Sequence, residues 1–344
     1  MSTGVIICDD SSMARKQMAR ALPADWDTTL TFVEDGDACL EAIRDGRGSV
    51  VFLDLNMPGS DGYTVLEQVH REELPALVLV VSGDIQPEAY RRVLRLGALN
   101  FIRKPIDPQV LAQTLKAYGL YSPSEHQPEV EPAPAAAGSD QEVPWQDALQ
   151  EIANIAMGQA GDLLARLLNV FIRLPVPRVN TLAVSELRMA LNITDSTSSW
   201  SGVCQGFNGA GIAGEALLLF NNARVETLSQ LLGEPEEAST RNNTEPLMDL
   251  SSIMVGAFLR GFGQQMDRQF GLSHPVVLGT HLDISDLLDG SQYTWQQILA
   301  IELTYTIESH DIECDLLLLF SEESIPPLRE ALSWLSDATP GVSA

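Results

Sequence analysis

The opening hundred residues alternate short, nearly continuous apolar runs with segments of helical periodicity. "GVIICDD" reads as a strand running into acids, Ser12 to Leu22 as a helix, and "SVVFLDLNMPG" as a buried strand closing in a turn. "ALVLVVSG" and "ALNFIRKP" follow as strands, separated by an arginine-bearing helix around 88–95, and a last helix falls near 108–118. Strand and helix in alternation over residues 1–120 predict an α/β domain on a parallel sheet, whose functional groups should gather beyond the carboxyl ends of its strands.

The pattern then stops. Residues 121–143, including "SPSEHQPEVEPAPAAAGSDQEV", are rich in proline, alanine and acids and read as a linker. Past it, on a helical wheel, Trp145, Leu149, Ile152, Ala156, Ala160, Leu163, Leu164 and Leu167 fill one apolar arc. Glu151, Asn154, Gly158 and Asp162 share the opposite face. A helix starting near 247 repeats this plan 98 residues later, with Asp249 at the position of Glu151, Ser252 at that of Asn154 and Gly256 at that of Gly158. "GEALLLF" ending at Phe220 likewise returns as "CDLLLLF" ending at Phe320, and Val225 and Leu228 align with Ile325 and Leu328. Two α/β halves packed with pseudo-twofold symmetry over residues 144–336 are the expectation, with 337–344 as a tail.

A length of 344 residues with 45% hydrophobic composition suits two domains with substantial cores. A formal charge of −26 opposes a phosphate backbone, so nucleic acid is not an expected partner. The start shows no basic leader and no run is long and apolar enough to span a bilayer, so the expectation is a cytoplasmic protein without membrane insertion. The four cysteines and five histidines lack metal-ligand spacing.

The candidate chemistry of the first domain lies at the predicted carboxyl edge. Asp9 and Asp10 close "GVIICDD", Asp54 ends the apolar run of "SVVFLDLNMPG", Ser82 ends that of "ALVLVVSG" and Lys104 follows that of "ALNFIRKP". Paired carboxylates there can hold Mg²⁺ through oxygen ligands, Asp54 can attack a phosphoryl group, and Ser82 and Lys104 can contact its oxygens. Only three of the 21 basic residues are lysines, which marks Lys104 as a compact ammonium placed for use. "GSDG" at 59–62 reads as a tight strand-to-helix connection, not a nucleotide loop.

On "CDD", "LDLNMPGSDG", Ser82 and "FIRKP", residues 4–119 resemble the receiver domain of bacterial two-component response regulators. The resemblance implies a five-stranded, doubly wound, flavodoxin-like fold with Asp54 phosphorylated by a histidine kinase. It further implies Mg²⁺ held with the help of Asp9, Asp10 and the backbone of Asn56, and a phosphate switch made by Ser82, Phe101 and Lys104. A receiver face of this kind also offers a route to a homodimer.

An acyl phosphate is hydrolysed by water placed in line with the phosphorus. Glu151 and Asn154, one helical turn apart, can be presented to it together, the amide of Asn154 holding the water and Glu151 pairing with a lysine beside the phosphate. Through "LQEIANIAMGQAGDLLARLLN", "VNTLAVSEL" and "GAGIAGEALLLF", residues 145–335 resemble the CheC, CheX and FliY phosphatases that act on the phosphorylated chemotaxis regulator CheY. That implies catalytic roles for Glu151 and Asn154 and a degenerate second site at Asp249 and Ser252. The resulting expectation is a response regulator whose second domain hydrolyses the aspartyl phosphate of a CheY-like receiver under control of Asp54, acting in cis or in trans. The alternative is a non-enzymatic adaptor that binds a receiver or kinase in a chemotaxis pathway.

Overall fold

The structure, a computed structural model, describes residues 2–122, 144–183, 186, 200–221, 227, 230–232, 245–278, 297–310 and 312–337. It comprises two compact units, Met1–Glu151 and Ile152–Ala344. Most of the expected linker, the tail from 338, Val225, Leu228, His126 and His281 lie outside the described residues.

In the first unit, β1 (Thr3–Cys8), β2 (Thr28–Val33), β3 (Val50–Leu53), β4 (Leu77–Ser82) and β5 (Asn100–Arg103) form a parallel sheet in the order β2-β1-β3-β4-β5. The helices between and after them are α1 (Ser12–Ala21), α2 (Gly36–Arg44), α3 (Gly62–Arg71), α4 (Pro87–Arg95) and α5 (Pro108–Ala117). Alternation along the strands makes two cores. Val5, Ile7, Val50, Phe52, Leu79 and Val81 pack with Met18, Leu111 and Leu115 of α1 and α5. Their neighbours Ile6, Cys8, Val51, Leu53, Val78 and Val80 pack with Leu40, Ile43, Val65, Leu66 and Val93 of α2, α3 and α4. Burial on both faces is why these strands read as unbroken apolar runs.

The "GSDG" connection is tight for three separate reasons. Gly59 takes φ +78°, and the Asp61 side chain caps α3 by accepting from Thr64 N–H at 2.8 Å. A Cβ on Gly62 would stand 2.2 Å from the carbonyl oxygen of Asp54, so only glycine lets α3 start this close to the end of β3.

The helix α6 (Trp145–Leu168) begins in the first unit, which takes its first two turns through Glu151, and continues unbroken into the second. Ile152, Ala156, Ala160 and Leu164 are buried as expected. Leu163 and Leu167, assigned to the same arc, are 45% and 48% exposed, whereas Glu151 and Asn154 on the polar face are 3% and 4% exposed. Around its middle the helix is therefore buried on both faces. The wheel separates apolar from polar positions but is blind to what covers a polar one.

The second unit holds an antiparallel sheet of β10 (Val276–Val277), β7 (Trp200–Gly209), β8 (Ile212–Asn221), β12 (Ile312–Phe320), β11 (Gln297–Ile307) and β6 (Arg178–Ala183), in that order, with β9 (Gly271–Leu272) also paired to β7. It is joined by α7 (Glu245–Gln265) and α8 (Ile325–Asp337). Phe262 of α7 stacks on Phe258 at 5.6 Å and meets Phe320 of β12 at 6.0 Å, tying helix to sheet. The close helix approach lies at Gly261 of α7, where an added Cβ would come within 3.2 Å of the Cα of Ala156. Gly161 makes room for Leu174, whose side chain would meet a Cβ at 2.8 Å.

Candidate functional site

The strand ends of the first unit gather the expected side chains around one ammonium. Lys104, just past β5, places Nζ 2.8 Å from Asp9 Oδ2, 3.4 Å from Asp54 Oδ1 and 3.1 Å from Glu151 Oε1, and all four side chains are buried. Backbone groups fix the carboxylates. Ser11 N–H donates to Asp9 Oδ1 at 2.9 Å and Asn56 N–H to Asp54 Oδ2 at 3.1 Å. Ser11 in turn caps α1, its Oγ accepting from Ala14 N–H at 3.1 Å, which locks the turn carrying Asp9 and Asp10 to the helix.

Four acids thus face one base in a space largely shut off from water. Burial pushes the Asp54 carboxyl well above its ordinary range, and the nearby charges of Asp9, Glu151 and Asp10 add to this against the pull of Lys104. Burial raises Glu151 to about 7 despite Lys104. Burial and the Asp9 charge bring Asp10 to about 6. For Lys104 burial works in the opposite sense, but the charges of Asp54, Asp9 and Glu151 override it and hold the ammonium protonated well beyond its usual range.

This imbalance suits a further cation. Carboxylate oxygens of Asp9, Asp10 and Asp54 lie within 4.8 Å of one another, and Asp54 Oδ1 is buried without a hydrogen-bond partner. An all-oxygen set of this kind can hold a hard divalent ion. Asn56 contributes its backbone N–H to Asp54.

Ser82 and Phe101 complete the strand-end group. Ser82 is fully buried, its Oγ accepting from Asp84 N–H at 3.1 Å, and its carbonyl accepts from Lys104 N–H at 2.9 Å. Phe101 is half-buried and meets Tyr90 of α4 edge-on at 6.0 Å.

Two contributors were not singled out in the sequence. Arg15 donates to the backbone carbonyls of Asp9 and Asp10 at 2.6 and 3.2 Å. Asp147 accepts from Ser12 Oγ at 2.5 Å and from Met13 N–H at 3.2 Å, at the start of α1. Its signal was readable: it stands four residues before Glu151 on one face of α6.

Residues 5–116 match the response regulator receiver domain family and residues 146–181 the CheC-like family. The chain is a receiver domain fused to a CheC-like domain. A protein-glutamate methylesterase/protein-glutamine glutaminase 2 of Anaeromyxobacter dehalogenans (strain 2CP-C) is 36% identical over 102 residues, covering 29% of this chain and 30% of that protein. The probable transcriptional regulatory protein NarL of Mycobacterium tuberculosis is 35% identical over 101 residues, covering 29% of this chain and 47% of its own. The chain therefore spans less than half the length of these curated relatives. Thermotoga maritima FliY, a solved structure, is similar over 55% of this chain and 96% of its own, at 19% identity and a TM-score of 0.41.

In the CheC-like domain, Asn154 is buried and its Oδ1 has no hydrogen-bond partner. On α7, Asp249 is exposed and Ser252 half-buried. No described helix of either domain is long and apolar enough to cross a membrane.

Proposed function

We propose that the chain is a phosphorylation-controlled phosphatase, in which Glu151 and Asn154 hydrolyse the aspartyl phosphate of a receiver. The observation that carries this reading is the ion pair between Glu151 and Lys104, because Lys104 also reaches Asp54. A glutamate bound to the lysine of a phosphorylation pocket sits where it can orient a hydrolytic helix on the phosphate. Asn154, one turn further along α6, supplies an amide whose oxygen is buried and unpaired, ready to accept a hydrogen bond from water.

In the receiver, Asp54 is the phosphoacceptor, served by a histidine kinase. Asp9, Asp10 and Asp54, with the backbone of Asn56, would hold Mg²⁺, which would lower the repulsion between an incoming phosphoryl group and the acids. Phosphorylation recruits Lys104 and Ser82 to the new oxygens, and Phe101 reports the change at the surface. Because Lys104 is shared with Glu151, the same event alters the hold on α6.

The domain plan follows as receiver 1–120, linker 121–143 and CheC-like domain 144–336, the last built of two related halves. The pairing of β8 with β12 supports the duplication. Leu217 pairs with Leu317, its own counterpart at the 100-residue offset, and the order β7-β8-β12-β11 reads the same from either side of that pair. Exposed Asp249 and half-buried Ser252 then mark a half that has lost the chemistry and kept the scaffold.

Incubating radiolabelled phosphoreceivers with wild type and with Asn154→Ala tests the reading. Wild type is expected to release phosphate about 10²–10³ times faster than the variant. Equal rates, with binding retained, would leave the adaptor reading instead.

A further inference from the structure

We propose that the aspartyl phosphate on which Glu151 and Asn154 act is that of Asp54 in the same chain, so that the protein terminates its own signal. This rests on the phosphatase reading and gives that reading its substrate. The observations that carry it fall inside the unit Met1–Glu151.

The first two turns of α6 are held on the phosphorylation pocket at two points. Glu151 Oε1 meets Lys104 Nζ at 3.1 Å, and Asp147, one turn earlier on the same face, accepts from Ser12 Oγ and Met13 N–H. Ser12 opens α1 directly after Asp9 and Asp10, so the two contacts flank the acids from the α1 side and the β5 side. Two contacts spaced four residues apart fix the rotation of a helix about its axis as well as its position. A glutamate reserved for another protein's receiver would be expected in solvent, yet Glu151 is 3% exposed with Lys104 as its counter-charge. An unpaired carboxylate that deep would be strongly unfavourable, so the pairing is part of the fold.

The helix then runs on without a break, setting Asn154 one turn beyond Glu151. In the proposed step, water held by Asn154 attacks the phosphorus of phospho-Asp54. The bond between phosphorus and the aspartyl oxygen breaks, its electron pair returns to the Asp54 carboxylate, and the proton of the water leaves with inorganic phosphate. Tethering favours this route over a second molecule, because the intrachain partner is present at high effective concentration.

The test uses the full chain, phosphorylated with acetyl phosphate and Mg²⁺ and then freed of donor, with acid-labile label followed over time. Wild type should lose its phosphate about 10²–10³ times faster than Asn154→Ala, at a rate independent of protein concentration. In a second arm, phosphorylated Asn154→Ala is mixed with an Asp54→Asn chain that retains Glu151 and Asn154, and the slow rate should persist. Rescue in the mixture, or a rate that climbs with concentration, would show action between copies and overturn the inference while leaving the phosphatase reading intact. Slow decay in wild type accompanied by rapid clearance of a separate phosphoreceiver would overturn it in the same way. Slow decay of both would overturn the phosphatase reading as well.

Discussion

Lys104 is the residue on which the site turns, since its single ammonium answers Asp9, Asp54 and Glu151 together. Asp54→Asn should abolish incorporation of label from a phosphodonor, because the amide cannot attack phosphorus; residual acid-labile label would show another acceptor. The acids also set a pH dependence. Glu151, raised from the ordinary 4.5 to about 7, and Asp10, raised from 3.8 to about 6, keep their protons to higher pH in the folded chain than in the unfolded one. The folded state therefore binds more protons across that window, and stability falls as pH rises from about 4 towards 7. Without metal, the melting temperature should drop across this range, and less so in Glu151→Gln. Mg²⁺ should restore it near neutral pH, by about 2.7 kcal/mol at a hundred times its Kd, and Asp9→Asn should blunt that rescue. A melting temperature that rises steadily with pH in metal-free buffer would contradict the burial argument. Asp9, Asp10, Asp54, Ser82 and Lys104 were legible because each sits at the end of a plainly apolar strand. Arg15 was not, because its bonds go to backbone carbonyls that no side-chain pattern announces.

At the scale of elements, β1, β3, β4 and β5 could be read directly, though β1 and β3 end at Cys8 and Leu53, short of the acids within the apolar runs. The strand β2, TTLTFV, was not read, since threonines interrupt its apolar residues and it is only partly buried. The backbone N–H groups of Asp9 and Asp54 still bond to the neighbouring strands, at Val33 and Cys8, before the chain turns away. The connection to α3 was legible as a tight turn, and Gly62 shows why. Gly62→Ala would press a methyl group into the carbonyl of Asp54 and should cost about 1–3 kcal/mol in urea unfolding, with slower phosphorylation of Asp54. Wild-type stability in that variant would mean that β3 and α3 separate easily. For α6 the sequence was less informative. Helical periodicity placed Leu163 and Leu167 inside and Glu151 on an open face. The structure exposes those two leucines, buries Glu151 against Lys104 and crowds Gly161 and Gly261. Contacts between segments distant in the chain decide these points, and a single helix carries no record of them.

For the molecule as a whole, the proposed function gives the two domains complementary chemistry. On that proposal the receiver carries a labile phosphate on Asp54, and the helix bearing Glu151 and Asn154 removes it. The proposed repeat in the CheC-like domain rests on a 98–100-residue offset in the sequence and on the pairing of Leu217 with Leu317. The proposed loss of chemistry in the second half rests on the side chains there: Asp249 is shorter than glutamate by a methylene, and Ser252 has no planar amide. Restoring both in Asp249→Glu with Ser252→Asn should leave the melting temperature nearly unchanged, since Asp249 is exposed and Ser252 half-buried. The account stands most directly on the release of inorganic phosphate from radiolabelled phosphoreceivers, the chain's own Asp54 among them, by wild type compared with Asn154→Ala. A rate about 10²–10³ times greater for wild type is the predicted result; equal rates on every receiver, its own included, would contradict it.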